Sequence, residues 1–209
     1  MVSSLHSLFW LQAYEQYPDD ADVAAIYAES LINLSPWDYY SADDKNHVRP
    51  ILAPALTALR RSLSLDGNHL LALHMWIHLI EASSSPGDAE KEADRLYSIG
   101  RGLSSNSRLL QLQQRRRGEG VSTLEYKGTE EREESDVAAV AAGAGHLLHM
   151  PAHVFLRVGR YKDAVDASIL AVASDKMYRA KCLVPYVDTH NSAMMVYAAT
   201  LWGRYEASS

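Results

Sequence analysis

The chain of 209 residues has a single cysteine, Cys182, so it can close no internal disulfide and offers no thiolate zinc finger. It has only two phenylalanines. No apolar run approaches the roughly 18 residues a membrane helix needs. Positive charge is in deficit: 20 Lys and Arg against 26 Asp and Glu leave a net charge of -6. No face is expected to neutralise a run of phosphates, which sets nucleic acid aside as a partner. The strings Gly-x-x-x-x-Gly-Lys-Ser/Thr and Gly-x-Gly-x-x-Gly are absent, so nucleotide phosphates find no glycine cradle. His-Glu-x-x-His is absent too, and His78-Leu79-Ile80-Glu81 has a different spacing. Residues 1–18 carry no basic n-region and no small-residue cleavage site, which argues against a secretory signal. These absences give the expectation of a soluble, cytoplasmic protein without membrane contact.

What is present is helical. Apolar residues make up 47% of the chain, enough for a sizeable core. Amphipathic stretches run over 3–16, 21–34, 49–65, 69–82, 87–100, 146–158, 161–174 and 187–202. Breakers separate them, among them Tyr17-Pro18-Asp19-Asp20, Ser35-Pro36, Asp66-Gly67-Asn68 and Gly159. Helices of this length joined by short turns predict an all-α protein of antiparallel helix pairs.

The sequence also repeats. Ala55, Leu59 and Ser62 return 34 positions later as Ala89, Ala93 and Leu96, and 75 further on as Ala164, Ser168 and Ala171. At the same offset of 75, His74-Met75-Trp76-Ile77-His78 becomes His149-Met150-Pro151-Ala152-His153. An offset of 44 carries Gly159-Arg160-Tyr161 onto Gly203-Arg204-Tyr205 and His146 onto His190. Thirty-four residues is the period of the tetratricopeptide repeat, a helix-turn-helix unit that stacks into a superhelical α-α solenoid. The excess in the larger offset measures an insertion, expected as a disordered, low-complexity spacer over 101–141, where both charge signs mix. Three segments result: repeats over 1–100, the insertion over 101–141, and a further repeat over 142–209 in the same solenoid. The repeat phase leaves a half repeat at each end with no polar capping helix. The expectation is a fragment, or ends covered by a protein partner.

The strings Pro36-Trp37-Asp38-Tyr39, His74 with Ile77-His78-Leu79-Ile80-Glu81-Ala82-Ser83, Ala93-Asp94-Arg95-Leu96, Gly143-Ala144-Gly145-His146-Leu147-Leu148-His149-Met150-Pro151-Ala152-His153, Val158-Gly159-Arg160-Tyr161 and His190-Asn191 resemble a family of tetratricopeptide-repeat proteins of largely undefined function, found in bacteria and some microbial eukaryotes. The resemblance covers most of residues 20–205 apart from the insertion. It departs from the family's usual pattern at Ala152, where Ser is common, and at Ser168, where Asn is.

Nine histidines against one cysteine are the chemical feature of the chain. His74, His78 and Glu81 fall at i, i+4, i+7, and His146, His149 and His153 at i, i+3, i+7, so each triple shares a helix face. In tetratricopeptide proteins the first helix of each repeat lines the concave groove. The resemblance therefore implies that both stripes face one groove, with His190 a helix further along. It extends that groove to Glu29, Trp37, Arg157 and Asn191. His6 and His47 are expected to be packed or solvated, and His69 to start a helix. Cys182, in an apolar string, is expected to be structural, and Trp10, Trp76 and Trp202 to be core.

Neutral imidazole and carboxylate are ligands for divalent transition metals, and the candidates are His74, His78, Glu81, His146, His149, His153 and His190. Three readings stand side by side. The groove binds a ligand, with a divalent transition metal as one candidate. It is the site of a metal-dependent enzyme, hydrolase or oxidoreductase, whose catalytic residues the sequence does not name. Or it is a metal-free scaffold for a peptide or small polar ligand; in a purely structural reading the histidines hydrogen-bond between helices.

Overall fold

In a computed structural model, the structure describes residues 2–105, 145–180, 182 and 188–203. Eight α-helices lie among the described residues. They are α1 (Val2–Gln16), α2 (Ala21–Ile32), α3 (Ala53–Leu65), α4 (Leu70–Glu81), α5 (Glu90–Ser105), α6 (145–157), α7 (Tyr161–Ala180) and α8 (Asp188–Trp202). Short 3-10 turns, Pro50–Leu52 and Pro86–Ala89, lead into α3 and α5. No strand occurs among the described residues, where β-pairing is limited to an isolated bridge between Tyr40 and Val48. The all-α expectation stands. α5 continues to Ser105, past the position 101 at which the spacer was expected to begin, and the rest of that expectation, 106–144, lies outside the described residues.

Local chemistry sets the helix ends. Asp20 caps α2, its side chain accepting from the Val23 N–H at 3.0 Å and so satisfying a donor the first turn leaves open. His69 caps α4 in the same way, its Nδ1 accepting from the Ala72 N–H at 3.2 Å. That bond puts the proton of a neutral His69 ring on Nε2, which donates to Asp22 at 2.8 Å. α6 ends at Gly159, whose φ of +81° is a left-handed conformation that costs glycine little. The Arg160 N–H reaches back to the Phe155 carbonyl at 2.8 Å, and the Gly159 N–H to that of Leu156 at 3.4 Å. The Arg160 guanidinium then covers the Phe155 ring at 4.2 Å. Gly203, the sequence repeat of Gly159, has a φ of +75°.

The chain forms two compact units, Met1–Leu96 and Tyr97–Ser209, with the boundary inside α5. In the first unit α2 packs against α1, α3 and α4. The α1–α2 seam carries a Tyr14–Tyr27 stack at 5.1 Å and a hydrogen bond from Ser7 Oγ to the Ser30 carbonyl at 3.0 Å. Ser62 Oγ ties α3 to the Ala21 carbonyl at 2.8 Å. Arg95 reaches the Gly67 carbonyl at 3.0 Å. In the second unit α7 and α8 form the main helix pair. Its core takes Leu148, Met150, Val154 and Phe155 from α6, Val165 from α7, and Ala198 and Ala199 from α8.

The repeated positions are buried as a set. Ala55, Leu59, Ser62, Ala89, Ala93, Ala164, Ser168 and Ala171 have no exposed surface, and Leu96 is buried. Most are small, so neighbouring backbones come close and a longer side chain has no void to enter. Ser168 adds no unpaired polar atom, since its hydroxyl donates to the Ala164 carbonyl at 2.8 Å. Ala89→Leu and Ala164→Leu should each cost about 1–3 kcal/mol by overpacking. Urea titration of both variants checks this, and unchanged midpoints would contradict the alignment of the stripes.

Candidate metal centre

α6 supplies the first two groups. His149 and His153 are one turn apart, so their side chains rise from the same face of the helix. Pro151 stands between them, and it has no N–H to give the Leu147 carbonyl, which frees an acceptor one turn back. α8 supplies the third, His190, from 41 residues away. The Nε2 atoms meet: His149 to His153 at 2.7 Å, His149 to His190 at 3.0 Å, His153 to His190 at 3.4 Å. The ring centroids are 4.4, 4.5 and 5.5 Å apart for the same pairs. In every pair the nitrogens are closer than the centroids, so the three rings point their Nε2 edges inward. His149 is fully buried, His153 half-buried and His190 exposed, which makes the cluster closed on one side and open on the other.

Hydrogen bonds alone satisfy this triangle poorly. A ring nitrogen holds one proton or one lone pair, directed along one line in the ring plane. One linear N–H···N bond therefore uses two of the three nitrogens, and the third must share an acceptor or face another donor. A cation at the common point takes all three lone pairs at once. Nitrogens about 2.1 Å from one ion stand about 3.0 Å apart at right angles and about 3.4 Å apart at the tetrahedral angle. The observed edges of 2.7, 3.0 and 3.4 Å run close to that range. Together the three residues form a group that could hold a metal ion.

A buried polar pair stands beside His190. Asn191, next to His190, is fully buried, and its Nδ2 donates to Asp175 Oδ2 on α7 at 2.7 Å. Sequence reasoning set Asn191 on the groove wall. The structure corrects this, because the amide turns into the α7–α8 seam. Asp175 itself went unnoticed. Its signal was present, as it continues the buried face of Ala164, Ser168 and Ala171 at the next helical step. Gly145 of α6 makes room for it, since a Cβ there would lie 2.5 Å from Asp175 Oδ1. Burial pushes the Asp175 carboxyl above the ordinary carboxylate range, and the Asn191 bond and the Arg179 charge oppose that shift.

The remaining expected residues lie outside the triangle. His146 keeps its ring 5.9 Å from that of His149, one step outside the triangle. Arg157 is exposed on the last turn of α6. Within the first unit, the His74 and His78 rings on α4 are 4.7 Å apart. Glu81 Oε1 lies 3.6 Å from His78 Nδ1, beyond hydrogen-bond distance. Trp37 meets the His78 ring edge-on at 5.5 Å while remaining 75% exposed. Its φ of +63° is unusual for a bulky residue. Glu29 is half-buried on α2. His6 accepts from Trp10 Nε1 at 2.9 Å and His47 pairs with Asp44 at 2.9 Å, both packed or solvated as expected. Trp76 is buried, but Trp10 and Trp202 are only partly so. Cys182 is exposed with a φ of +60°, against the expectation of an apolar setting.

Compared with protein-family profiles, curated sequences and solved structures, the chain shows no match. Among the described residues no helix is long and apolar enough to cross a membrane.

The Asp175 shift has a measurable sign. A carboxyl with a raised folded pKa stabilises the fold below its unfolded pKa and loses that contribution as pH rises through the folded value. The wild-type melting temperature should therefore fall relative to Asp175→Asn as pH rises from below about 4 through the raised value. Parallel thermal scans across that range check this, and a constant difference would contradict the assignment.

Proposed function

We propose that the protein is a tetratricopeptide-type helical-repeat protein that binds one divalent transition metal through His149, His153 and His190. The observation that carries the metal reading is the convergence of the three Nε2 atoms. Three further facts support it. The donors come from α6 and α8, and the Asp175–Asn191 bond ties α8 to α7 at the residue after His190, which limits the freedom of that donor before any ion arrives. No thiolate takes part, which favours borderline ions such as zinc, iron(II), nickel or manganese over copper(I). All three donors are neutral when they bind, so the ion keeps its full positive charge. The repeat reading is supported by the 34-residue recurrence and by the burial of all three copies of the stripe.

The triangle also bears on what the metal can do. His149 and His153 on α6 and His190 on α8 would hold the ion, and the exposure of His190 leaves the cluster reachable from solvent. A metal held there would supply Lewis acidity or a water activated near neutral pH. The enzyme reading, hydrolytic or oxidative, rests on that chemistry and is tested after the metal is known.

Elemental analysis by inductively coupled plasma mass spectrometry tests the proposal. Untagged protein purified without chelator should hold close to one metal per chain, lost in His149→Ala and in His190→Ala. The arms with Asn replacing each histidine control for folding, because a soluble variant with an unchanged circular dichroism spectrum and no metal isolates the ligand effect. Wild-type protein that carries no metal and takes up none on reconstitution would overturn the proposal and leave a metal-free polar groove.

A further inference from the structure

The first unit contains a cavity of about 530 Å³ that owes nothing to the histidine triangle. This is within the span of small-molecule sites, roughly 300–1,000 Å³. Its wall carries Arg60 from α3 and Asp88 from the 3-10 turn before α5. Leu56 and Ile80 give it an apolar side, and Asn46 and Ser85 a polar one.

The charges on this wall differ from their neighbours. Arg61 pairs with Asp19, and Arg49 with Asp38 at 2.7 Å. Arg60 and Asp88 form no ion pair among the described residues, with each other or with any other group. The Arg60 guanidinium lies over the Trp76 ring at 5.6 Å, which sets its direction without neutralising it. The other titratable groups on the wall are engaged: His47 with Asp44, and Tyr40 with Ser83. One cavity thus presents one unneutralised cation and one unneutralised anion, held further apart than an ion pair.

A simple anion entering here would meet Asp88, and a simple cation would meet Arg60. A molecule that carries both charges satisfies both. We infer that this cavity binds a free α-amino acid, its carboxylate on Arg60 and its ammonium on Asp88, with its side chain toward Leu56 and Ile80. The guanidinium fork suits a carboxylate. A carboxylate suits an ammonium. Each contact removes a charge from water only in exchange for a charge-assisted hydrogen bond.

Isothermal titration calorimetry of the full chain against the 20 standard amino acids tests this. At least one should bind at one site with a Kd below about 10 mM. Its N-acetyl derivative and its carboxamide should each bind at least about 10-fold more weakly. Arg60→Gln should lose the preference for a free carboxylate while keeping that for a free ammonium, and Asp88→Asn should do the reverse. Both side chains are exposed, so the variants are expected to fold, and circular dichroism verifies it. His149→Ala should bind the amino acid as the wild type does, which separates this site from the metal reading. Absence of saturable binding by all 20, or affinity indifferent to both caps, would overturn the inference.

Discussion

Within each unit taken by itself, helices approach one another across side chains no larger than a methyl or hydroxymethyl group. Ala55, Ser62, Ala89, Ala93, Ala164, Ser168 and Ala171 form that contact, and each is fully buried. Everything else follows from how closely the backbones come. With Leu or Met there, α7 would stand further from its neighbours, and the groups on α6 and α8 would not reach each other. The sequence pays for this closeness in apolar area, since alanine buries little, and recovers it from the larger residues set between, such as Leu59, Leu73, Ile77 and Phe155.

The second unit combines this packing with polar strain at one end. Three imidazole nitrogens face each other at 2.7 to 3.4 Å, and a buried carboxyl lies under the amide beside one of them. Both features cost stability in the bare protein. The three nitrogens are crowded at hydrogen-bond distance from one another, and Asp175 is held in surroundings that disfavour its charge. A pre-set donor cluster has this character, because the groups a ligand will satisfy are held together before it arrives. The Asp175–Asn191 bond ties α8 to α7 at the residue after His190.

The first unit handles polarity differently. Its Arg–carboxylate pairs, Arg49–Asp38 and Arg61–Asp19, lie at sites where solvent already screens them. His78 lies beside Glu81 and Trp37. Arg60 and Asp88 line one cavity without pairing to each other.

Helix positions, their breaks and the repeated buried stripe were legible in the sequence, because each is a local consequence of helical period and of capping chemistry. The pairing of His149 with His153 was legible for the same reason, since residues four apart share a face. Asn191 was misread because a polar residue beside a histidine looks the same in sequence whether it faces a groove or a seam. Asp175 was overlooked because one acid on a stripe of small residues carries no spacing signal of its own. Sequence by itself determined the helices, their small-residue contact face and the kind of donor available. Tertiary structure decided which donors meet. His190 lies 41 residues from His149, and the distance between their nitrogens depends on the approach of α8 to α6, which no periodicity within either helix encodes.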